Sequence, residues 1–310
     1  MPYLNNSVGQ YGVQELGNLF LSVTGGKVFY VGTAGQLANY TDVGQGIANR
    51  LYPDVNTALG QCVSGRGDVI FVLPGYAENI AAANAWSNIL ATDVTIIGMG
   101  RGTNRPAFTW TAAASTLLMS AANMRILNCQ MYLAGPHVNG AALTVAAPIT
   151  VSAAGCEISG CRIFWGFDAD QIVTVGITTT AAADDFKFNN DYCYAETAAV
   201  PTTTFLRLTG ADFIEIDGTY ISGPGSTTAI GPVQQLTTAG LGSKITNSIF
   251  QNRLAASTIA FTAIAGCTGV VDKCSFNVLA AGNGLTAASG LQVTNSKTAN
   301  GASAGADTTG

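Results

Sequence analysis

The sequence predicts an all-β protein: a single-stranded right-handed parallel β-helix (solenoid) with a short N-terminal capping helix. Three observations predict this fold. Only 10% of the 310 residues are charged and 37 are glycine, a composition that suits short strands joined by many turns. A short apolar pattern recurs about every thirty residues, which is typical of stacked coils. An Asn or Gly occupies the same place in nearly every copy of that pattern.

The repeat is defined by a small residue, the anchor, which directly follows the Asn or Gly. Every copy carries an apolar residue three positions before the anchor, and most copies carry another two positions after it. We expect these positions to point inward and to stack on one another as the core. The anchors are Cys129, Cys161, Asp191, Thr219, Ser248, Cys274 and Ser296, with a weaker copy at Met99.

The residue immediately before the anchor is predicted to bend the chain between two short strands. Each coil needs a sharp bend, and Asn and Gly tolerate the left-handed backbone conformation that such a bend requires. The predicted bend positions are Asn128, Gly160, Asn190, Gly218, Asn247 and Asn295.

Charges of alternating sign occupy the outward position four residues before the anchor in five successive coils. Strands in a sheet lie about 4.8 Å apart, so each charge is expected to lie between two opposite charges. Exposed ion pairs contribute roughly 0–1 kcal/mol each, so we expect this charge ladder chiefly to specify strand register. The register also separates its two glutamates by two coils, which argues against an acid–base pair. The members are Arg125, Glu157, Lys187, Glu215 and Lys244.

The chain divides into four segments on the basis of its patterning. Residues 1–26 are polar and are predicted to form an extended N-terminal arm, and residues 27–93 a cap region with a short helix and the first strands. The β-helix coils are predicted over 94–298. Residues 299–310 contain only small and polar residues and are predicted to be a flexible tail.

Composition also limits the partners and cofactors that we expect. The net charge of −5 and the lack of a Lys/Arg cluster argue against nucleic acid, and no apolar run is long enough to span a membrane. Seven scattered cysteines without a visible secretion signal are expected to be reduced and mostly buried. Neither a metal nor another cofactor is expected, since the sole histidine, His137, excludes the common His-rich metal sites.

Two family resemblances follow from particular segments. The helix at 52–62, followed by a strand ending in Leu-Pro-Gly at 73–75, resembles the opening of the pectin-lyase-like superfamily. Segments 26–31, 66–78 and 97–106 resemble a group of tailed-phage structural proteins that includes capsid decoration (cement) proteins. This resemblance implies a homotrimer on the capsid exterior of the virion, bound to the major capsid protein. It carries over no catalytic residues.

Three acidic residues are the candidates for an enzymatic alternative. Asp184 and Asp185 precede one anchor, and Asp212 precedes the next, so they could stack on adjacent coils about 5 Å apart, a separation found in retaining glycosidases. No basic residue is adjacent to support a lyase, and three of the four sequence elements of polygalacturonase-like hydrolases are missing. We expect these aspartates to lie in solvated turns instead.

An aromatic cluster after one of the core strands is a candidate contact surface. Phe164, Trp165 and Phe167 open a loop that could bind sugar or pack against a neighbouring subunit, and the subunit contact is favoured.

Three functions are compatible with the sequence. The first is a non-enzymatic virion structural protein that trimerises on the phage head and stabilises the shell. The second is a tailspike or another polysaccharide-binding or polysaccharide-cleaving β-helix protein, and the third is an adhesin-like binding protein. The sequence favours the first.

Overall fold

The fold is a parallel β-helix, as predicted. The computed structural model describes residues 25–38, 50–134, 142–166, 170–195, 202–223, 232–235, 239–253, 258–280, 284–286, 290–300 and 303–307. Within them, short strands stack into three sheets, nearly always in parallel, and there is very little helix. Successive coils contribute one strand to each sheet, so the sheets run along the solenoid axis.

Sheet A contains the strand that precedes the bend in each coil. In spatial order it comprises β2 (Leu51–Tyr52), β1 (Val28–Val31), β3 (Val69–Val72), β5 (Thr95–Gly98), β8 (Arg125–Leu127), β12 (Glu157–Ser159), β15 (Lys187–Asn189), β18 (Glu215–Asp217), β21 (Ser243–Thr246), β24 (Thr268–Asp272) and β27 (Gly290–Thr294).

Sheet B contains the strand that follows the bend. It comprises β4 (Ala77–Ile80), β6 (Ala107–Trp110), β9 (Gln130–Leu133), β13 (Arg162–Phe164), β16 (Tyr192–Tyr194), β19 (Tyr220–Gly223), β22 (Ile249–Asn252), β25 (Ser275–Val278), β28 (Lys297–Asn300) and β29 (Ser303–Asp307).

Sheet C completes each coil. It comprises β7 (Leu117–Met119), β11 (Ile149–Val151), β14 (Gln171–Thr179), β17 (Thr202–Leu208), β20 (Val233–Gln235), β23 (Ile259–Ala263) and β26 (Gly284–Thr286), and β10 (Leu143–Val145) pairs with β14 beside this path.

The core lies between the three sheets and consists of the inward positions of every strand. The apolar residues three before the anchor are stacked and almost wholly buried, as Ile126, Ile158 and Phe188 show. The residues two after the anchor stack in the same way, for example Phe250 on Phe276 with ring centroids 5.7 Å apart. Alternation along each strand therefore separates the core from the outer faces.

Six coils bend at the predicted Asn or Gly. The backbone φ is +57° at Asn128, +64° at Gly160, +57° at Asn190, +59° at Gly218, +51° at Asn247 and +47° at Asn295. Lys273 adopts the same conformation, with φ +53°, in a coil without Asn or Gly at this place.

A second left-handed bend, which the sequence analysis missed, lies six residues before the anchor. It carries residue types suited to positive φ in five coils, namely Asp93, Asn123, Gly155, Asp185 and Gly242, and Phe213 in the sixth. Phe213 is the exception in residue type, because a bulky side chain rarely adopts positive φ. Its φ is nevertheless +56°, and its side chain is 60% exposed. From Asn123 onward, this bend joins sheet C to sheet A.

The solenoid begins earlier than the predicted coil boundary at residue 94. β1 and β3 already belong to sheet A and β4 to sheet B, so the region 27–93 adds strands to the same stack. A first helix, α1, spans Ala34–Ala38. The capping helix, α2, spans Val55–Leu59, begins at the N-cap Asp54 and buries Val55, Ala58 and Leu59.

The C-terminal tail differs from its prediction. β29 lies within residues 299–310 and pairs antiparallel with β28, because a chain that turns back can hydrogen-bond to the exposed edge of sheet B. The N-terminal arm, 1–26, lies outside the described residues except for its last two.

Candidate functional surfaces

The three candidate catalytic acids lie at the bend between sheets C and A. Asp184 Oδ1 accepts the backbone N–H of Asp212 at 2.8 Å, and Asp212 Oδ1 accepts the backbone N–H of Leu241 at 2.7 Å. Asp185 is exposed and occupies the left-handed bend position. The two partly buried carboxylates therefore stack on adjacent coils, and each holds the turn of the next coil.

The five charges of the ladder are paired by strand register on the outer face of sheet A. Arg125 lies opposite Glu157, Glu157 opposite Lys187, Lys187 opposite Glu215, and Glu215 opposite Lys244. The nitrogen–oxygen distances are 3.4 Å from Arg125 to Glu157, 3.9 Å from Lys187 to Glu215 and 3.3 Å from Lys244 to Glu215. Glu215 thus contacts a cation on each side.

Reversing the central charge of this ladder is expected to destabilise the protein modestly. In Glu215→Lys, two attractive contacts become repulsive, and we expect a loss of about 1–2 kcal/mol in the free energy of unfolding. Denaturant unfolding at low and high salt measures it, and the loss should shrink as salt screens the charges. Glu215→Gln is the control and should lose less. Equal losses in both variants, or a loss insensitive to salt, would contradict the assignment.

The anchor residues form a second ladder, which lies inside the solenoid. From Cys161 onward, the anchor side chain accepts the backbone N–H of the anchor in the preceding coil, for example Cys129 N–H to Cys161 Sγ at 3.5 Å, Thr219 N–H to Ser248 Oγ at 3.1 Å and Cys274 N–H to Ser296 Oγ at 3.1 Å. The hydroxyl or thiol then donates to the carbonyl two residues back, as Ser248 does to Thr246 at 2.7 Å. This anchor ladder gives the bend amides of each coil an acceptor in the next.

Asp191 is the anchor that departs from this pattern. Its Oδ1 accepts the backbone N–H of Cys161 at 2.7 Å, but its Oδ2 is buried without a hydrogen-bond partner. Burial raises the pKa of this carboxyl well above its ordinary value, and the neighbouring Cys161 raises it further. The side chain is 2% exposed, so a charge there would be deprived of water.

The aromatic cluster is divided between the core and the surface. Trp165 is fully buried and its ring meets that of Trp110 edge to face, with centroids 5.3 Å apart, so its predicted place in a subunit contact is wrong. Its position continues the inward alternation of β13, which explains the burial. Phe164 is partly buried on the outer face and stacks on Tyr132 at 5.3 Å. Phe167 lies outside the described residues.

Two carboxylates of the cap, the buried Asp68 and the partly buried Glu78, were not recognised from the sequence. Asp68 is wholly buried and accepts the backbone N–H groups of Lys27 at 2.7 Å and Val63 at 2.8 Å, together with two bonds of 2.6 Å from Arg66. Glu78 accepts from Trp86 Nε1, Tyr76 Oη and the N–H of Val55, which attaches α2 to the first coil. Burial raises the pKa of Glu78.

The described residues hold no group of three or more His, Cys, Asp or Glu side chains arranged to bind a metal ion. His137 lies outside them. An open cleft of about 460 Å³ lies at the corner of sheets A and B near the C-terminal end, with Lys273, Lys297 and Ile249 among its walls. Among the helices of the described chain, none has the length and apolar character needed to cross a membrane.

Comparisons of the chain with protein-family models, with curated proteins and with solved structures found no match. The fold and the geometry of these surfaces are accordingly the basis for assigning a function.

Proposed function

We propose that this protein is a non-enzymatic virion structural protein, a capsid decoration or cement protein that trimerises on a phage head and stabilises the shell. One observation carries the proposal: the fold uses its acidic side chains to hold coils together. Asp184 and Asp212 accept amides of the next coil, and Glu215 lies between two cations. The carboxylates that could act as catalytic acids or bases thus bind neighbouring coils to each other instead.

The position on a capsid comes from the resemblance of segments 26–31, 66–78 and 97–106 to tailed-phage structural proteins. The proposed partners are two further copies of this chain and the major capsid protein, on the capsid exterior. Neither nucleic acid, a membrane nor a cofactor takes part. The function is mechanical, because bonds across capsomer junctions would oppose the outward pressure of packaged DNA.

Deleting residues 1–26 is expected to abolish binding to purified phage shells while the β-helix stays folded. With an initiator Met before Lys27, the truncated chain keeps the Lys27 backbone N–H that Asp68 accepts and the whole of β1. Of the described cap residues it loses only Gly25 and Gly26, the second of which lies against Gly67. Co-sedimentation with shells measures binding, and circular dichroism and thermal unfolding measure the fold. Full-length protein is the control. Binding by the folded truncated protein would refute the role of the arm, and failure of the full-length protein to bind would refute the proposed function.

A second candidate function is a tailspike or another polysaccharide-cleaving β-helix, which the stacking of Asp184 on Asp212 favours. Incubation with a panel of bacterial surface polysaccharides and assay of reducing ends decides between the two. Activity that is lost in Asp184→Asn and Asp212→Asn would replace the structural proposal with this one.

A further inference from the structure

The outer face of sheet B differs in composition from the rest of this acidic protein. Six of its strands, β9, β13, β16, β19, β22 and β25, lie side by side and span about 24 Å along the axis. Their outward residues, together with Arg253 at the margin, define what we call the aromatic face. Its accessible residues are Arg162, Phe164, Tyr192, Tyr194, Tyr220, Ile249, Gln251, Ser275, Asn277 and Arg253, whereas Gln130, Tyr132 and Ser222 share the outward register but are buried.

The aromatic face contains no Asp or Glu. Its two cations, Arg162 and Arg253, are part of a chain with 13 Lys and Arg and 18 Asp and Glu. The remainder therefore carries eleven cations against eighteen acids, a formal charge of −7, while the face carries +2. Aromatic residues and Arg are enriched in protein–protein interfaces, whereas Asp, Glu and Lys are depleted there.

The rings of this face are already ordered against each other. Tyr192 stacks on Tyr220 with centroids 5.1 Å apart and planes 11° apart, and Tyr132 stacks on Phe164 at 5.3 Å and 10°. The Arg253 guanidinium lies 5.0 Å from the centre of the Tyr194 ring. Because ring faces are covered by neighbouring rings or by Arg253, the surface presents ring edges. A flat protein surface fits such edges better than a sugar or base that must stack on a face.

Apolar groups on this face are nevertheless left in water. Tyr192 is 42% exposed and Ile249 is 40% exposed, and the register places them in one outward row with Tyr220 between them. A contact there would bury apolar surface whose side chains are already held in place, which limits the entropy lost on binding.

We infer that the aromatic face is the contact surface between copies of this chain, and that the contact is heterologous: the face of one copy meets a different, acid-bearing surface of the next. An isologous contact would place like cationic faces together. A heterologous contact joins the aromatic face, with its formal charge of +2, to a surface of the rest of the chain, whose formal charge is −7. Every copy therefore carries both the positive face and the negative charge that complements it. Such contacts form a closed ring when the rotation between copies allows it. Only the number of copies in the oligomer, three, rests on the proposed function.

The test is sedimentation velocity of the full chain over a range of concentrations, at about 50 mM and about 500 mM salt. We expect an oligomer whose dissociation constant rises several-fold at high salt. Ile249→Asp and Arg162→Glu are expected to weaken association at least tenfold. Val270→Asp is the matched control, because Val270 is 38% exposed on the outer face of sheet A and receives the same apolar-to-acid change. Circular dichroism checks that each variant is folded.

The inference would be overturned by a wild-type chain that stays monomeric at the highest concentration, by equal weakening by Ile249→Asp and Val270→Asp, or by association that strengthens with salt. A monomer that binds dextran sulfate through this face would also overturn it and would indicate a polyanion as partner. No shells are used, so failure here is distinct from failure of the capsid role, which the binding of full-length protein to shells reports.

Discussion

Replacing Asp191 with threonine is expected to stabilise the protein by about 1–3 kcal/mol in the free energy of unfolding at neutral pH. The substitution removes a buried oxygen, Oδ2, that has no partner, and keeps an oxygen that can accept the N–H of Cys161. Thr219 shows that threonine suits an anchor, since its hydroxyl donates to Phe188 O at 3.0 Å and lies 3.2 Å from Asp217 O. Denaturant unfolding of both proteins measures the gain.

The gain should grow with pH. The pKa of Asp191 is raised in the folded protein, chiefly by burial. At pH values below the unfolded-state pKa the carboxyl is neutral in both states and the native state is not penalised. As the pH rises above that value, the unfolded chain releases its proton first, and wild type loses stability until the pH passes the raised folded-state pKa. The slope approaches about 1.4 kcal/mol per pH unit.

Two variants test this explanation. Asp191→Asn removes the charge with little change of shape, so its stability should lack the same pH-dependent component. Asp185→Asn changes an exposed carboxyl and should follow the wild-type curve. Two results would contradict the explanation that Asp191 is a buried acid with an unpartnered oxygen. One is a threonine variant that is less stable than wild type at both about pH 4 and about pH 8, and the other is a threonine variant whose stability changes with pH as much as that of wild type.

Removing Asp68 is expected to have the opposite and larger effect, a loss of about 3–5 kcal/mol. Asp68→Ala leaves the amides of Lys27 and Val63 without their acceptor and removes the ion pair with Arg66. The lost bond from Lys27 is the one that joins the turn before β3 to the residue before β1. Chemical denaturation measures the loss, and hydrogen exchange should show it first in β1. Asp54→Ala is the control in the same cap, since it removes a partly exposed N-cap and should cost about 1 kcal/mol.

The pH dependence of Asp68 has the reverse sign. Burial acts to raise its pKa, but the bonds from Arg66, Lys27 and Val63 outweigh burial, and the pKa is lowered. Its contribution is present above the unfolded-state pKa and is lost as the pH falls through the folded-state pKa. The difference between wild type and Asp68→Ala should therefore shrink towards acid pH. A constant difference, or a loss no larger than that of Asp54→Ala, would exclude the buried ion pair as its cause.

The coil register could be predicted from the sequence because it repeats. In successive coils, the alternating apolar residues recur together with an Asn or Gly of left-handed conformation. The charge ladder then fixes which strand positions lie opposite each other. The burial of Trp165 could also have been predicted from the repeat. It lies four residues after its anchor, the place of the buried Leu133 and Ala195, and only its aromatic neighbours suggested a surface loop.

Other features do not repeat and were missed for that reason. The second bend was obscured by Phe213, a residue type that rarely adopts positive φ. The partners of Asp68 come from residues 41 positions before it and five before it, a combination with no local pattern. The antiparallel pairing of β29 depends on the open edge of the last coil rather than on the composition of the tail.

The anchor ladder has a consequence for how the solenoid comes apart. Its bonds join only adjacent coils, so the protein resembles a row of units coupled to nearest neighbours, in which a weak link separates two cooperative blocks. Ionisation of Asp191 would place a charge that is deprived of water between the coil of Cys161 and its own, which makes this junction the weak one. The N-terminal block would keep the cap and its buried Asp68, while the C-terminal block would open independently. A single midpoint would then cease to describe the unfolding of this chain.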